Sequence, residues 1–167
     1  MKETLERIYW DHRQGLYTLA LAITRRPERA EDAVQDAFAR LWTSRVRLTG
    51  DPVPYVFAAV RNAAVDEMRR KNGAAARLEP VSIYNGLPAD PAAQAVSAEE
   101  HQLVREAVEA LPQGQREAVV MKIYAGLTFE QIARALGEPL QTVASRYRRA
   151  LDRLGRRLKR NGDPSDA

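Results

Sequence analysis

Residues 127–151 read LTFEQIARALGEPLQTVASRYRRAL. Thr128-Phe129-Glu130-Gln131 has the form of a capping box, so a helix begins there. Ile132, Ala133 and Leu136 give that helix its apolar face, and Gly137-Glu138-Pro139 forms a tight turn. A longer helix follows, with Val143, Tyr147, Ala150, Leu151, Leu154 and Leu158 on one side and arginines on the other. A short capped helix, a glycine turn and a basic helix make a helix-turn-helix. The first helix braces the second, whose polar face suits a DNA major groove. By spacing, that face carries Gln141, Thr142, Ser145, Arg146 and Arg149. Gln can pair with adenine and Arg with guanine, while Thr and Ser serve base or phosphate. Arg148, Arg153, Arg156, Arg157 and Lys159 trail behind and are expected to meet phosphates.

The rest of the chain is helical in pattern too, with no period-two alternation between turn signals. Upstream, Gln113–Tyr124 reads as one helix with Val119, Val120 and Ile123 apolar, ended by Gly126. Before it, Ser97-Ala98-Glu99-Glu100 is a further capping box, opening a helix with Leu103, Ala107, Ala110 and Leu111 on its rail. At the other end of the chain, three helices are expected. The first covers about 3–24, stopped by Arg25-Arg26-Pro27. The second runs from Pro27 to Ser44, with proline in its first turn. The third covers about 54–71, with Val56, Val60, Ala64 and Met68 inward. Residues 73–97 carry three prolines and no apolar rail, which suits a flexible linker. The expected fold is therefore all-α: a helical domain over 1–72, a linker over 73–97, a helix-turn-helix domain over 98–160 and a disordered tail over 161–167.

Composition narrows the function. The chain has 167 residues and no cysteine, which excludes disulfide scaffolds, thiolate metal sites and cysteine nucleophiles. No apolar run is long enough to span a bilayer, and no signal peptide opens the chain, so a cytoplasmic protein is expected. Net charge is only +4. Residues 146–160, however, hold eight Arg or Lys against one Asp, a stripe that points to a polyanion. His12 and His101 have no metal-ligand partner at useful spacing. With no phosphate loop, triad or paired-carboxylate pocket, neither an enzyme nor a bound metal or cofactor is expected.

Two motifs together resemble a known family. Leu127–Gly137 with Thr142-Val143-Ala144-Ser145-Arg146, preceded by Ala110–Val119, is similar to region four of bacterial RNA polymerase sigma factors. Ala30-Glu31-Asp32-Ala33-Val34-Gln35-Asp36-Ala37-Phe38 with Trp42, and then Tyr55–Arg70, resemble region two. The lack of further regions between or before them is similar to the extracytoplasmic-function (ECF) group. The resemblance implies a transcription initiation factor whose partners are core RNA polymerase, through its beta-prime clamp and beta flap, and promoter DNA. It implies a stress or signal response and is compatible with an anti-sigma partner. Core-polymerase binding then falls to Asp32, Gln35, Asp36 and Trp42. Asp32 and Asp36, four apart, share a helix face that can make charge-assisted bonds. Asp32 can equally serve only the helix dipole, and Trp42 can equally be core. The −10 element falls to Arg61, Asn62, Asp66, Arg69 and Arg70, beside a loop, Arg45–Pro54, that resembles the family's base-capturing loop. Asp66 can also pair with Arg69 or Arg70. The −35 element falls to the helix-turn-helix face named above. A stand-alone helix-turn-helix regulator with a helical sensor domain is the rival reading.

Overall fold

The computed structural model describes residues 1–71 and 98–162, and every regular element among them is helical. The expected linker, with Ser97 of the first capping box, and the last five residues lie outside the described residues. In chain order the helices are α1 (Lys2–Thr24), α2 (Pro27–Thr43), α3 (Val53–Lys71), α4 (Ala98–Glu109), α5 (Gln113–Val119), α6 (Phe129–Leu136) and α7 (Leu140–Gly162). Local chemistry explains most of the boundaries. Arg25 turns left-handed at φ 56° and returns its N–H to the Leu21 carbonyl, ending α1. Pro27, whose missing donor costs nothing there, starts α2. Asp51 accepts the Val53 N–H at 3.0 Å where α3 begins. The Thr128 capping box closes in both directions: Gln131 N–H donates to the Thr128 hydroxyl, and Thr128 N–H donates to the Gln131 side chain. Gly137 takes φ 64° to end α6. The last helix runs on through Gly162, past the expected limit.

One helix departs from its pattern. The segment read as a single helix to Tyr124 changes at Val120 into a π-helical turn, Val120–Tyr124. Ala125 N–H reaches back five residues to the Val120 carbonyl, and Leu127 N–H six residues to Met121. The wider turn rotates the residues after Val120 about the helix axis. Met121 is fully buried, while Ile123, expected inward, is 55% exposed.

The apolar cores are unequal. Leu5, Leu16, Leu19, Phe38, Val56, Phe57 and Val60 of α1–α3 close one large cluster. That cluster continues without a break into Val120, Met121, Leu127, Ile132 and Val143 of the C-terminal helices. Among the described residues Leu111, Val119 and Ala150, backed by Tyr147 and Leu154, form a smaller separate core there. At the seam, Gly15 of α1 lies so close to Ala125 that a Cβ on it would stand 2.7 Å from the Ala125 Cβ. Only glycine fits that approach.

Candidate functional site

Three surfaces carry the residues singled out in the sequence. The first is the outer face of α2. Burying Ala30, Ala33, Val34, Ala37, Phe38 and Leu41 turns Asp32, Gln35 and Trp42 to solvent. Trp42, open to two readings, is 40% exposed, whereas Phe38 is core. Asp36 is less free than its spacing suggests. It accepts a 2.7 Å ion pair from Arg40 on the next turn. Arg40 also reaches Asp66 on α3 at 4.0 Å, a long contact between two half-exposed side chains. Beside this face, Tyr9, Tyr17, Phe38 and Trp42 line a cleft of about 530 Å³ that includes Gln35. Tyr9 stacks edge-on against both Phe38 and Trp10, and Arg13 lies over the Trp10 ring. Burial raises the Tyr17 hydroxyl pKa, with Glu31 and Glu28 adding to it.

The second surface is the α3 face with its preceding loop. Asn62, Arg69 and Arg70 are exposed. Arg61 is not available in the same way: its Nε donates to Glu117 of α5 at 2.9 Å, and Glu117 is only 2% exposed. Gln113 supplies the other Glu117 oxygen with a donor at 2.9 Å. Asp51 is engaged twice over. One oxygen starts α3, and the other accepts from Gln131 of α6 at 2.7 Å. Gln131 holds the Asp51 carboxyl below its ordinary pKa, helped by the Val53 N–H, Arg134 and His12 and opposed by partial burial. Gln131 therefore caps its own helix and joins it to a loop 80 residues away.

Further along the seam, Arg116 is buried and donates to the Ala22 and Leu111 carbonyls, both at 2.8 Å. Burial, with Arg25 nearby, lowers its guanidinium to about 10, so it remains charged at neutral pH. Arg25 in turn donates to the Glu109 carbonyl at 2.8 Å. Sequence reading passed over Glu117 and Arg116. The available signal was periodicity: Glu117 stands one turn before Val120 and Met121, on the side that turns inward.

The third surface is α7. Gln141 and Arg149 are exposed, and Thr142, Ser145 and Arg146 are partly so, along one side of the helix. Val143 and Ala150 are buried beneath them. Arg146 is held at 3.1 Å by Glu138 of the turn. Arg153, Arg156 and Arg157 do not simply trail into solvent. With Arg160 they line a cleft of about 540 Å³ against Ala107 of α4 and Ala110 and Leu111 just beyond it. Among the described residues no group of His, Asp and Glu could hold a metal, and no helix is long and apolar enough to cross a membrane. His12 is half-buried edge-on to Phe57.

Comparison with known proteins agrees with this layout. Residues 8–73 match the family described as Sigma-70 region 2, and residues 101–154 match Sigma-70, region 4. The chain is 28% identical over 149 residues to the ECF RNA polymerase sigma factor SigK of Mycobacterium sp. (strain KMS), covering 84% of this chain and 76% of that one. It is 26% identical over 155 residues to SigK of Mycobacterium tuberculosis (strain CDC 1551 / Oshkosh), covering 87% and 81%. In fold it resembles the sigma factor RpoE of Bartonella quintana, solved in complex with the anti-sigma factor NepR. The TM-score is 0.71 at 24% identity, over 95% of this chain and 98% of that one.

Proposed function

Because the chain belongs to the sigma-70 family of RNA polymerase sigma factors, in its extracytoplasmic-function group, we propose how its surfaces divide the work. The protein is a promoter-recognition factor that binds core RNA polymerase and promoter DNA. The rival reading, a stand-alone regulator, leaves the region 2 match over residues 8–73 without a purpose. Family members are regulatory proteins, and we read this chain likewise as a non-enzymatic, cytoplasmic adaptor.

In our reading residues 1–72 dock on core polymerase and read the −10 element, and residues 98–160 read the −35 element. The α2 face takes the beta-prime clamp through Asp32, Gln35 and Trp42, with Asp36 released from Arg40 on docking. Arg61, Asn62, Asp66, Arg69 and Arg70 meet the −10 DNA, Arg61 from its pair with Glu117. Gln141, Thr142, Ser145 and Arg149 enter the −35 major groove, and Arg146 joins them from its pair with Glu138. The observation that carries this division is burial. Each proposed face stands over a buried apolar stripe on its own helix, which aims the polar residues outward. The arginine-lined cleft beside α4 suits an acidic partner segment. The structural neighbour was solved with an anti-sigma factor, and in our reading a similar partner controls this chain within a stress or signal response.

The test is reconstitution. Core polymerase with this protein is expected to give transcripts from promoters selected with the holoenzyme. Arg149→Ala should cost about tenfold at the −35 element, equivalent to about 1.4 kcal/mol, without changing core affinity. Equal loss of both activities would contradict the division.

A further inference from the structure

The second half of α7 carries charge that the −35 contacts assigned above do not use. Arg146, Arg149, Arg153, Arg156, Arg157 and Arg160 fall within an arc of about 100°, at ~100° per residue, so they form one row along the helix. The two ends of the row differ. Arg146 has a carboxylate, Glu138, at 3.1 Å. Among the described residues, Arg153, Arg156, Arg157 and Arg160 have none within ion-pair distance. Arg156 reaches only the Asp152 carbonyl of its own helix, at 3.4 Å. Like charges three and four residues apart on a helix repel, so an anion seated on this end of the row relieves strain as it binds.

The surroundings select the kind of anion. The four guanidiniums stand over a cleft of about 540 Å³ whose floor is Ala107, Ala110 and Leu111. Ala107 and Leu111 are buried, and none of the described residues lining the cleft is acidic. α4 packs against α7, so helices flank the opening. Axes of packed helices lie about 8–10 Å apart, and a DNA duplex, whose major groove alone is about 12 Å wide, does not enter between them. A single chain of anions does. Every cation in the row is arginine, and the one lysine of the stretch, Lys159, lies off it. The planar guanidinium fork pairs two-pronged with phosphate oxygens, and its repetition at i, i+3, i+4 and i+7 suits linked phosphates. An acidic protein segment matches that repeat only by ordering several long side chains, at an entropic cost that a phosphate chain avoids.

We propose that this cleft is a polyphosphate-binding site. It takes a short run of linked phosphates, inorganic or carried by a nucleotide, on Arg153, Arg156, Arg157 and Arg160. The apolar floor keeps water from beneath the anion, which strengthens the pairing. Once occupied, the cleft is closed to an acidic protein segment, so the anion sets when such a partner binds.

Calorimetric titration of the full chain with tripolyphosphate, at physiological ionic strength and without divalent cations, tests the site. Wild type is expected to bind one tripolyphosphate, and to bind orthophosphate at least tenfold more weakly. Arg153→Gln/Arg157→Gln should weaken tripolyphosphate binding at least tenfold. Arg148→Gln/Lys159→Gln removes equal charge from exposed positions off the row and should change it less than threefold. Circular dichroism checks that the helices are kept. If the first variant unfolds, Arg156→Gln/Arg160→Gln takes its place with the same expected loss. ATP separates the two sources of phosphate. Binding tighter than tripolyphosphate places a nucleoside on the apolar floor, and equal or weaker binding assigns the site to the inorganic chain. Equal losses in the row and off-row variants would overturn the site, because binding would then follow net charge alone. A hexaglutamate peptide that binds more tightly than tripolyphosphate would overturn phosphate as the occupant in favour of an acidic protein segment. None of these readouts involves polymerase or promoter, so failure here leaves the function assigned above standing.

Discussion

The N-terminal and C-terminal helices are built from similar amphipathic patterns but bury them differently. α1, α2 and α3 close a core among themselves around Leu16, Phe38, Phe57 and Val60. Among the described residues the C-terminal part has a smaller separate cluster, Leu111, Val119 and Ala150 with Tyr147 and Leu154, while Val120, Met121, Leu127 and Ile132 belong to the larger shared one. The first group holds most of the shared cluster, and the second draws on it. A small helical unit with little private core is the one that can be moved, because less of its stability is tied to a single arrangement.

Substitutions along this contrast have graded effects. Phe57→Ala empties a fully buried site in the shared cluster and should cost about 3–5 kcal/mol in denaturant unfolding. Both groups should lose stability in one transition. An undisturbed separate transition for the C-terminal helices would break the comparison. Glu117→Ala leaves Arg61 without its partner and should cost about 2–3 kcal/mol, the lower part of the range because Arg61 can turn to water. A double-mutant cycle with Arg61→Ala should show coupling, and strict additivity would remove the ion pair from the seam. Thr128→Ala removes one arm of the capping box and should cost about 1 kcal/mol, borne by the C-terminal group. Arg40→Ala breaks an exposed i,i+4 pair with Asp36 and a long contact to Asp66 on α3, and should change stability by no more than about 0.5 kcal/mol.

The Asp51 carboxyl adds a dependence on pH. Its folded pKa lies below the ordinary 3.8, so its contribution is fully present above that value. The contribution is lost as pH falls through the folded pKa. The Asp51–Gln131 contact should thus be unchanged from neutral pH down to about 5 and weaken only below about 4. Asp51→Asn should reduce that acid response, measured by scattering or by fluorescence between the two groups.

The limits of sequence reading track the same division. Helix ends were legible where one residue type decides them: Pro27 at a first turn, Thr128 with Gln131 as a box, Gly137 left-handed. The two family motifs were legible for the same reason, since each is a contiguous pattern on one face. The π turn was not, because α-helical periodicity put Ile123 inward and one wide turn exchanged it for Met121. Nor was the engagement of Asp36 by Arg40, which spacing permits but does not choose. The seam was least legible of all. Arg61–Glu117 and Asp51–Gln131 join residues 56 and 80 positions apart, and each is a common surface residue type until its partner is known.

Affinity for core polymerase tests the central claim most directly. Wild type should be titrated against bacterial core enzyme beside an Asp32→Arg/Asp36→Arg variant, with circular dichroism confirming that the variant retains its helices. The account predicts tight binding by wild type and at least a tenfold loss on charge reversal, with DNA binding by α7 unaffected. Wild-type protein that is folded and free of partners yet fails to bind, or a reversed variant that binds equally well, would contradict it.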